Sequence, residues 1–195
     1  MKYLTWIILA SIFFLGCNKE DDDGGTPGPT GPIELANTGL EDINNGLPVG
    51  WWSNPGPYEL FTTDTTAFNG AYSAGLTSND STAQDFGFWA QTITDNIQVD
   101  KKLRLRVNIR AENVVGEGAS IVIRGDNTLV PQGPAELFIT TQDDLYIGGT
   151  HNWKEYRVAL EDPITSDIQS ITVYVILLPN TSGTIFFDDI ILEYE

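Results

Sequence analysis

Leu103-Arg104-Leu105-Arg106-Val107-Asn108-Ile109-Arg110-Ala111 alternates apolar and polar residues without a break. Successive side chains of a strand point to opposite faces, so this stretch predicts a half-buried β-strand with one greasy face and one wet face. Runs rich in β-branched and aromatic residues lie on either side of it. They are Tyr58 to Thr62, Tyr72 to Leu76, Phe86 to Ile93, Ser120 to Arg124 and Leu137 to Thr140. Trp153 to Leu160, Ile171 to Leu178 and Thr184 to Leu192 follow. Each reads as a short strand bounded by turn formers. Pro and Gly interrupt every stretch of helical length. Strands at this spacing predict an all-β domain, a two-sheet antiparallel β-sandwich of jelly-roll type.

The domain is expected to span residues 33–195. Before it, Gly24-Gly25-Thr26-Pro27-Gly28-Pro29-Thr30-Gly31-Pro32 is a linker by composition, flexible at glycine and extended at proline. About 160 residues suit one domain with a sizeable core. The single cysteine, Cys17, leaves the fold without an intrachain disulfide. The formal charge is −17, and loss of Lys2 with a leader would make it −18. Phosphate binding needs a basic surface, so nucleic acid is excluded as an expected partner.

The first 16 residues read as a signal peptide. Lys2 supplies a positive start, and the apolar run from Tyr3 to Gly16 is shorter than the roughly 20 residues that cross a bilayer. Phe14-Leu15-Gly16-Cys17 resembles the lipobox of bacterial lipoproteins. That resemblance implies lipidation at Cys17 and a tether over residues 17–32, with attachment to a membrane through the lipid alone. Several acyl chains give stable anchoring where one gives only marginal binding. Asn18-Lys19-Glu20-Asp21-Asp22-Asp23 resembles the acidic signal that sends some lipoproteins to the exterior face of the outer membrane.

Six motifs in order resemble the jelly-roll carbohydrate-binding modules of the galactose-binding-domain-like superfamily. Asn37-Thr38-Gly39-Leu40-Glu41 is similar to their N-x-G-F-E opening, with leucine in place of phenylalanine, and Pro48-Val49-Gly50-Trp51 to the P-x-G-W that follows. Asn69-Gly70-Ala71-Tyr72-Ser73, Trp89-Ala90-Gln91-Thr92-Ile93, Asn152-Trp153-Lys154-Glu155-Tyr156 and Phe187-Asp188-Asp189-Ile190 resemble the later turn and strands. The resemblance implies polysaccharide or glycan binding, and it implies a structural calcium ion with Glu41 and Asp188 as side-chain ligands. Alternation places Asp188 on the side of Phe186, Ile190 and Leu192, with Asp189 opposite.

Sugar recognition needs flat apolar platforms and a few planar polar groups. Trp51 and Trp153 match positions that the family uses structurally, so both are expected in the core. Trp52 and Tyr58 flank the turn-rich Ser53-Asn54-Pro55-Gly56-Pro57, and Tyr146 stands in another loop. Trp89 and Gln91 share a strand face. These five are candidate ligand contacts. Arg104, Arg106 and Arg110 on the wet strand face are candidates too, since bidentate hydrogen bonds suit uronic or sulfated sugars. Cross-strand pairing with the abundant acids is the alternative role for those arginines.

Catalysis is not expected. There is one histidine, His151, and no nucleophile, phosphate-loop or zinc spacing. The reading is a non-catalytic, surface-anchored glycan-binding lipoprotein. A structural or adhesive lipoprotein of the same fold, binding a protein, is the first alternative, and a glycoside hydrolase or lyase the second.

Overall fold

The computed structural model describes residues 33–142 and 144–195. The leader, the tether and Cys17 lie outside the described residues. Eleven strands form: β1 (Ile43–Asn44), β2 (Leu47–Pro48), β3 (Trp52–Asn54), β4 (Glu59–Thr63), β5 (Ser73–Ser78) and β6 (Gly87–Ile93), then β7 (Leu103–Asp126), β8 (Leu137–Thr140), β9 (Ile147–Ala159), β10 (Ser170–Leu177) and β11 (Ser182–Tyr194). All pairings are antiparallel. The all-β jelly-roll expectation holds.

One strand organises the molecule. The alternating stretch 103–111 and the run 120–124 are a single 24-residue strand, β7. Its first half pairs with β11 and β9, and its second half with β10 and β8. The ladder therefore runs β4-β5-β11-β7-β9 on one layer and β3-β6-β10-β7-β8 on the other. Between the halves the register slips against both β9 and β11. Asn113, Gly116 and Gly118 take positive φ there, a conformation glycine and asparagine reach at least steric cost. Bulges of this kind bend a strand and raise its twist, which lets β7 serve both layers.

The core lies between the layers. Leu103, Leu105, Val107 and Ile109 present the greasy face expected of β7, all fully buried. In the second half Ile121 and Ile123 continue that face, meeting Ile171, Val173 and Val175 of β10. Trp51, Trp89 and Phe187 form an aromatic centre, with ring centroids 6.5 Å apart from Phe187 to each tryptophan. Trp51 is thus core, as expected. Trp153 departs from expectation, being only partly buried and edge-on to exposed Phe68 at 6.0 Å.

The alternation expected around Asp188 breaks. Ile185 and Phe187 face the core, so Phe186 and Asp188 face outward, opposite Arg110 and Asn108. A bulge between Asp188 and Ile191, with Asp189 at φ 47°, then resets the pleat. Ile190 and Leu192 consequently enter the core and do not share a face with Asp188.

Candidate functional site

The outer face of the β3-β6-β10-β7-β8 layer carries an apolar surface of unusual density. Pairing of Trp52 with Ala90, Ala90 with Tyr174, and Tyr174 with Val122 sets these residues in one row across four strands. Phe88 neighbours the row on β6. Its ring meets Trp52 and Tyr174 edge-on, each at a centroid distance of 5.2 Å, and Trp52 meets Tyr174 at 6.0 Å. Phe86 adds a fourth ring 6.0 Å from Phe88. Edge-to-face contacts fix each ring against the next. Trp52 stays 42% exposed and Phe138, on edge strand β8, 58% exposed. Between them lies a groove of about 340 Å³. That volume lies within the usual range for ligand sites, roughly 300–1,000 Å³.

Polar groups are few and placed on one wall. Arg124 lines the groove on β7. Its Nε donates to Asp126 Oδ2 at 2.8 Å and its Nη2 to Asp126 Oδ1 at 2.6 Å, a bidentate pair with a nearly buried acid. Nη2 also donates to the Gly133 carbonyl. Donation to the Asp126 carboxylate holds the guanidinium pKa above its ordinary value, against partial burial. Ser120, Thr140 and exposed Gln142 complete the polar edge. Burial pushes the Tyr174 phenol up.

The candidate contacts read from the sequence scatter. Trp52 stands in the groove. Trp89 is 1% exposed and donates its indole N–H to the Gly75 carbonyl at 3.1 Å. Gln91, on the same inward face, clasps the Ala36 backbone with both ends of its amide. Tyr58 is buried, its hydroxyl donating to the Leu178 carbonyl at 2.6 Å. These three are interior and correct the expectation of a groove lining. Odd positions of β6 point in, and even positions, Phe88 and Ala90, point out.

The arginines stand on the other layer. Arg106 bridges Glu155 and Glu193, each at 3.0 Å. Arg104 pairs with Glu193 and Glu195. Arg110 donates to Glu112 at 2.5 Å and to Thr66, with its guanidinium 5.5 Å above the Phe186 ring. Glu155 loses solvation, yet hydrogen bonds from Arg157 and Arg106 hold its carboxyl below the usual range. Arg104 and Arg106 are paired with glutamates across strands and Arg110 with Glu112 of its own strand, all three away from the aromatic groove. Tyr146 is exposed and borders a separate hollow beside it.

Glu41 and Asp188 meet on one segment. Asp188 is fully buried, its Oδ2 accepting from the amides of Phe68 and Asn69 at 2.9 and 3.0 Å, and its Oδ1 from Asp189 at 2.7 Å. Glu41 accepts from the amides of Ala71 and Tyr72. Desolvation raises the Asp188 pKa to about 6 in spite of those amides. Two carboxylates on one segment fit calcium in donor type, and carbonyl oxygens would have to complete six to eight ligands. Among the described residues no group of three or more His, Cys, Asp or Glu gathers as a metal site. His151 is engaged locally, with Nδ1 at 2.7 Å from the Asn152 carbonyl and Nε2 at 3.0 Å from the Tyr156 hydroxyl.

No family model and no curated protein matches the chain. Solved structures do. A cyclase from Fischerella sp. TAU superposes with a TM-score of 0.64 at 17% identity, covering 84% of this chain and 96% of that one. The carbohydrate-binding module TmCBM61, solved with beta-1,4-galactotriose, gives 0.52 at 15% identity, covering 83% and 97%. A CBM4 structure gives 0.54 at 13% identity, covering 83% and 100%. Likeness at these identities establishes the shared jelly-roll β-sandwich fold.

Proposed function

We propose that this chain binds a glycan, without transforming it, on the outer face of the β3-β6-β10-β7-β8 layer. The observation that carries the reading is the aromatic groove itself. Trp52 and Phe138 offer exposed ring surface to the apolar faces of sugar rings, and Arg124, Thr140 and Gln142 offer planar or hydroxyl partners at the rim. Trp52, Phe86 and Phe138 stay exposed beside the buried Phe88, Val122 and Tyr174, and exposed apolar patches mark interaction sites. Likeness to carbohydrate-binding modules supports the same reading. Binding without catalysis is favoured because Asp126, the acid held against the groove's Arg124, is committed to that pair.

The expected setting is a lipid anchor at Cys17 on the outer membrane, facing the exterior. A calcium ion held by Glu41 and Asp188 is a second structural element of the proposal; it would brace the segment 68–72 and take no part in ligand contact.

A glycan array probed with the domain from residue 33 onward tests the reading. Binding that falls at least about tenfold in Trp52→Ala, a typical cost for a central aromatic anchor, supports it. No bound polysaccharide removes it. Capture of indole compounds in place of glycans would reassign the groove to aromatic small molecules; a cyclase from Fischerella sp. TAU of the same fold was solved in complex with 4-(1H-Indol-3-yl)butan-2-one.

A further inference from the structure

The aromatic groove does not end at β7. Its lining includes Gln142 and Leu178, and both residues also line an adjoining hollow of about 260 Å³. That hollow is walled by Tyr146, Leu145 and the bend of β7 at Gly116 and Glu117. Tyr146 is 58% exposed. It is nevertheless held in place, for its hydroxyl donates to the Val114 carbonyl at 3.3 Å and its ring lies over Gly148 and beside Gly118. A side chain added at either glycine would collide with that ring or with the neighbouring backbone. The two hollows thus adjoin at Gln142 and Leu178 in one trough, with Trp52 and Phe138 flanking its larger part and Tyr146 walling the smaller.

Charge selects what fills it. Among the described residues Arg124 is the only cation lining either hollow, and Asp126 neutralises it through a bidentate pair. Glu117 sits on the Tyr146 side. The other strand arginines are paired on the opposite layer. In a chain of net charge −17, an anionic polymer would meet repulsion, and the cation that lines the trough among the described residues is already paired with Asp126. We infer that the trough takes an extended stretch of uncharged oligosaccharide, its sugar rings resting on the Trp52 and Tyr146 stations together. This rests on the glycan reading and narrows it to neutral sugars, in place of the uronic or sulfated ones the strand arginines suggested.

Calorimetry with neutral β-1,4-linked galactan, glucan, xylan and mannan oligomers of two to six units, beside polygalacturonate and hyaluronan, tests it. The expected result is affinity rising about tenfold or more from the shortest to the longest bound series. Tyr146→Ala should abolish that rise and leave the shortest ligands bound as before, while Trp52→Ala weakens every length. Tyr146→Phe should retain the rise, which separates ring stacking from loop support. Affinity independent of length, a silent Tyr146→Ala, or binding of the acidic polymers as tight as the neutral ones overturns the inference while leaving glycan binding intact. Failure of every oligomer and polymer to bind overturns the glycan reading and this inference with it.

Discussion

At the residue scale, Asp188 is a carboxylate that burial makes costly to ionise. A carboxylate wholly removed from water is costly unless amides or a cation offset its charge. Three amides do so in part, and the pKa still rises to about 6 from 3.8. Raised in the folded state, this group binds protons more tightly there than in the unfolded chain. Its contribution therefore favours folding at low pH and fades as pH climbs from about 4 through about 6. The shift of roughly two units corresponds to about 3 kcal/mol at neutral pH. Thermal melts in EDTA between pH 4 and 7 should show wild type losing stability relative to Asp188→Asn across that window. Parallel curves for the two proteins would contradict the buried-charge account. Calcium would hold the acid ionised and offset the same cost. At pH 7 the metal proposal therefore expects EDTA to lower the melting temperature of wild type and leave that of Asp188→Asn unchanged. A wild-type melt insensitive to EDTA removes the ion.

At the element scale, the bend in β7 decides the architecture. The greasy face of 103–111 was legible because one side of that strand meets core and the other meets water. Its continuation through 113–118 was not, since Asn113, Gly116 and Gly118 carry the composition of a turn and mark here a pair of bulges inside one strand. The groove was hidden for a related reason. Strand β10 (SITVYVIL) is buried on both faces, so period-two reading cannot say which residues face outward. The same ambiguity on β6 led to Trp89 and Gln91, while the true outward residue Phe88 carried no signal of its own. A weak clue existed in the spacing of Phe86 and Phe88, two apart and thus on one face. Gly116 tests the bend directly. It holds φ at 106°, and a side chain there would run into the Asn180 carbonyl. Gly116→Ala should cost more than about 1 kcal/mol and lower the urea midpoint without changing the slope. An unchanged midpoint would mean the bend does not depend on that glycine.

At the scale of the whole molecule, the two outer faces divide the work. One layer spends its charge on itself, with Arg104 and Arg106 tied to glutamates across strands and Arg110 to Glu112 along its own strand. The other layer is nearly free of charge and presents aromatic rings. Excess negative charge elsewhere keeps the domain soluble and discourages anionic partners. A binder built this way gains from being held close to many copies of its ligand, because tethering raises effective concentration without adding contacts. Cys17, sixteen residues before Ile33, is the proposed anchor, and on that proposal the acidic and Pro/Gly-rich stretch between them would set the reach. Expression of the full chain in a bacterial host that lipidates, with labelled palmitate in the medium, puts this to the test. Label and protein should travel together in the membrane fraction, and Cys17→Ser should lose both while its folded domain binds glycan as before. Label absent from the wild-type chain, or a Cys17→Ser protein retained in the membrane, would mean that the domain is delivered to its ligand by some other route.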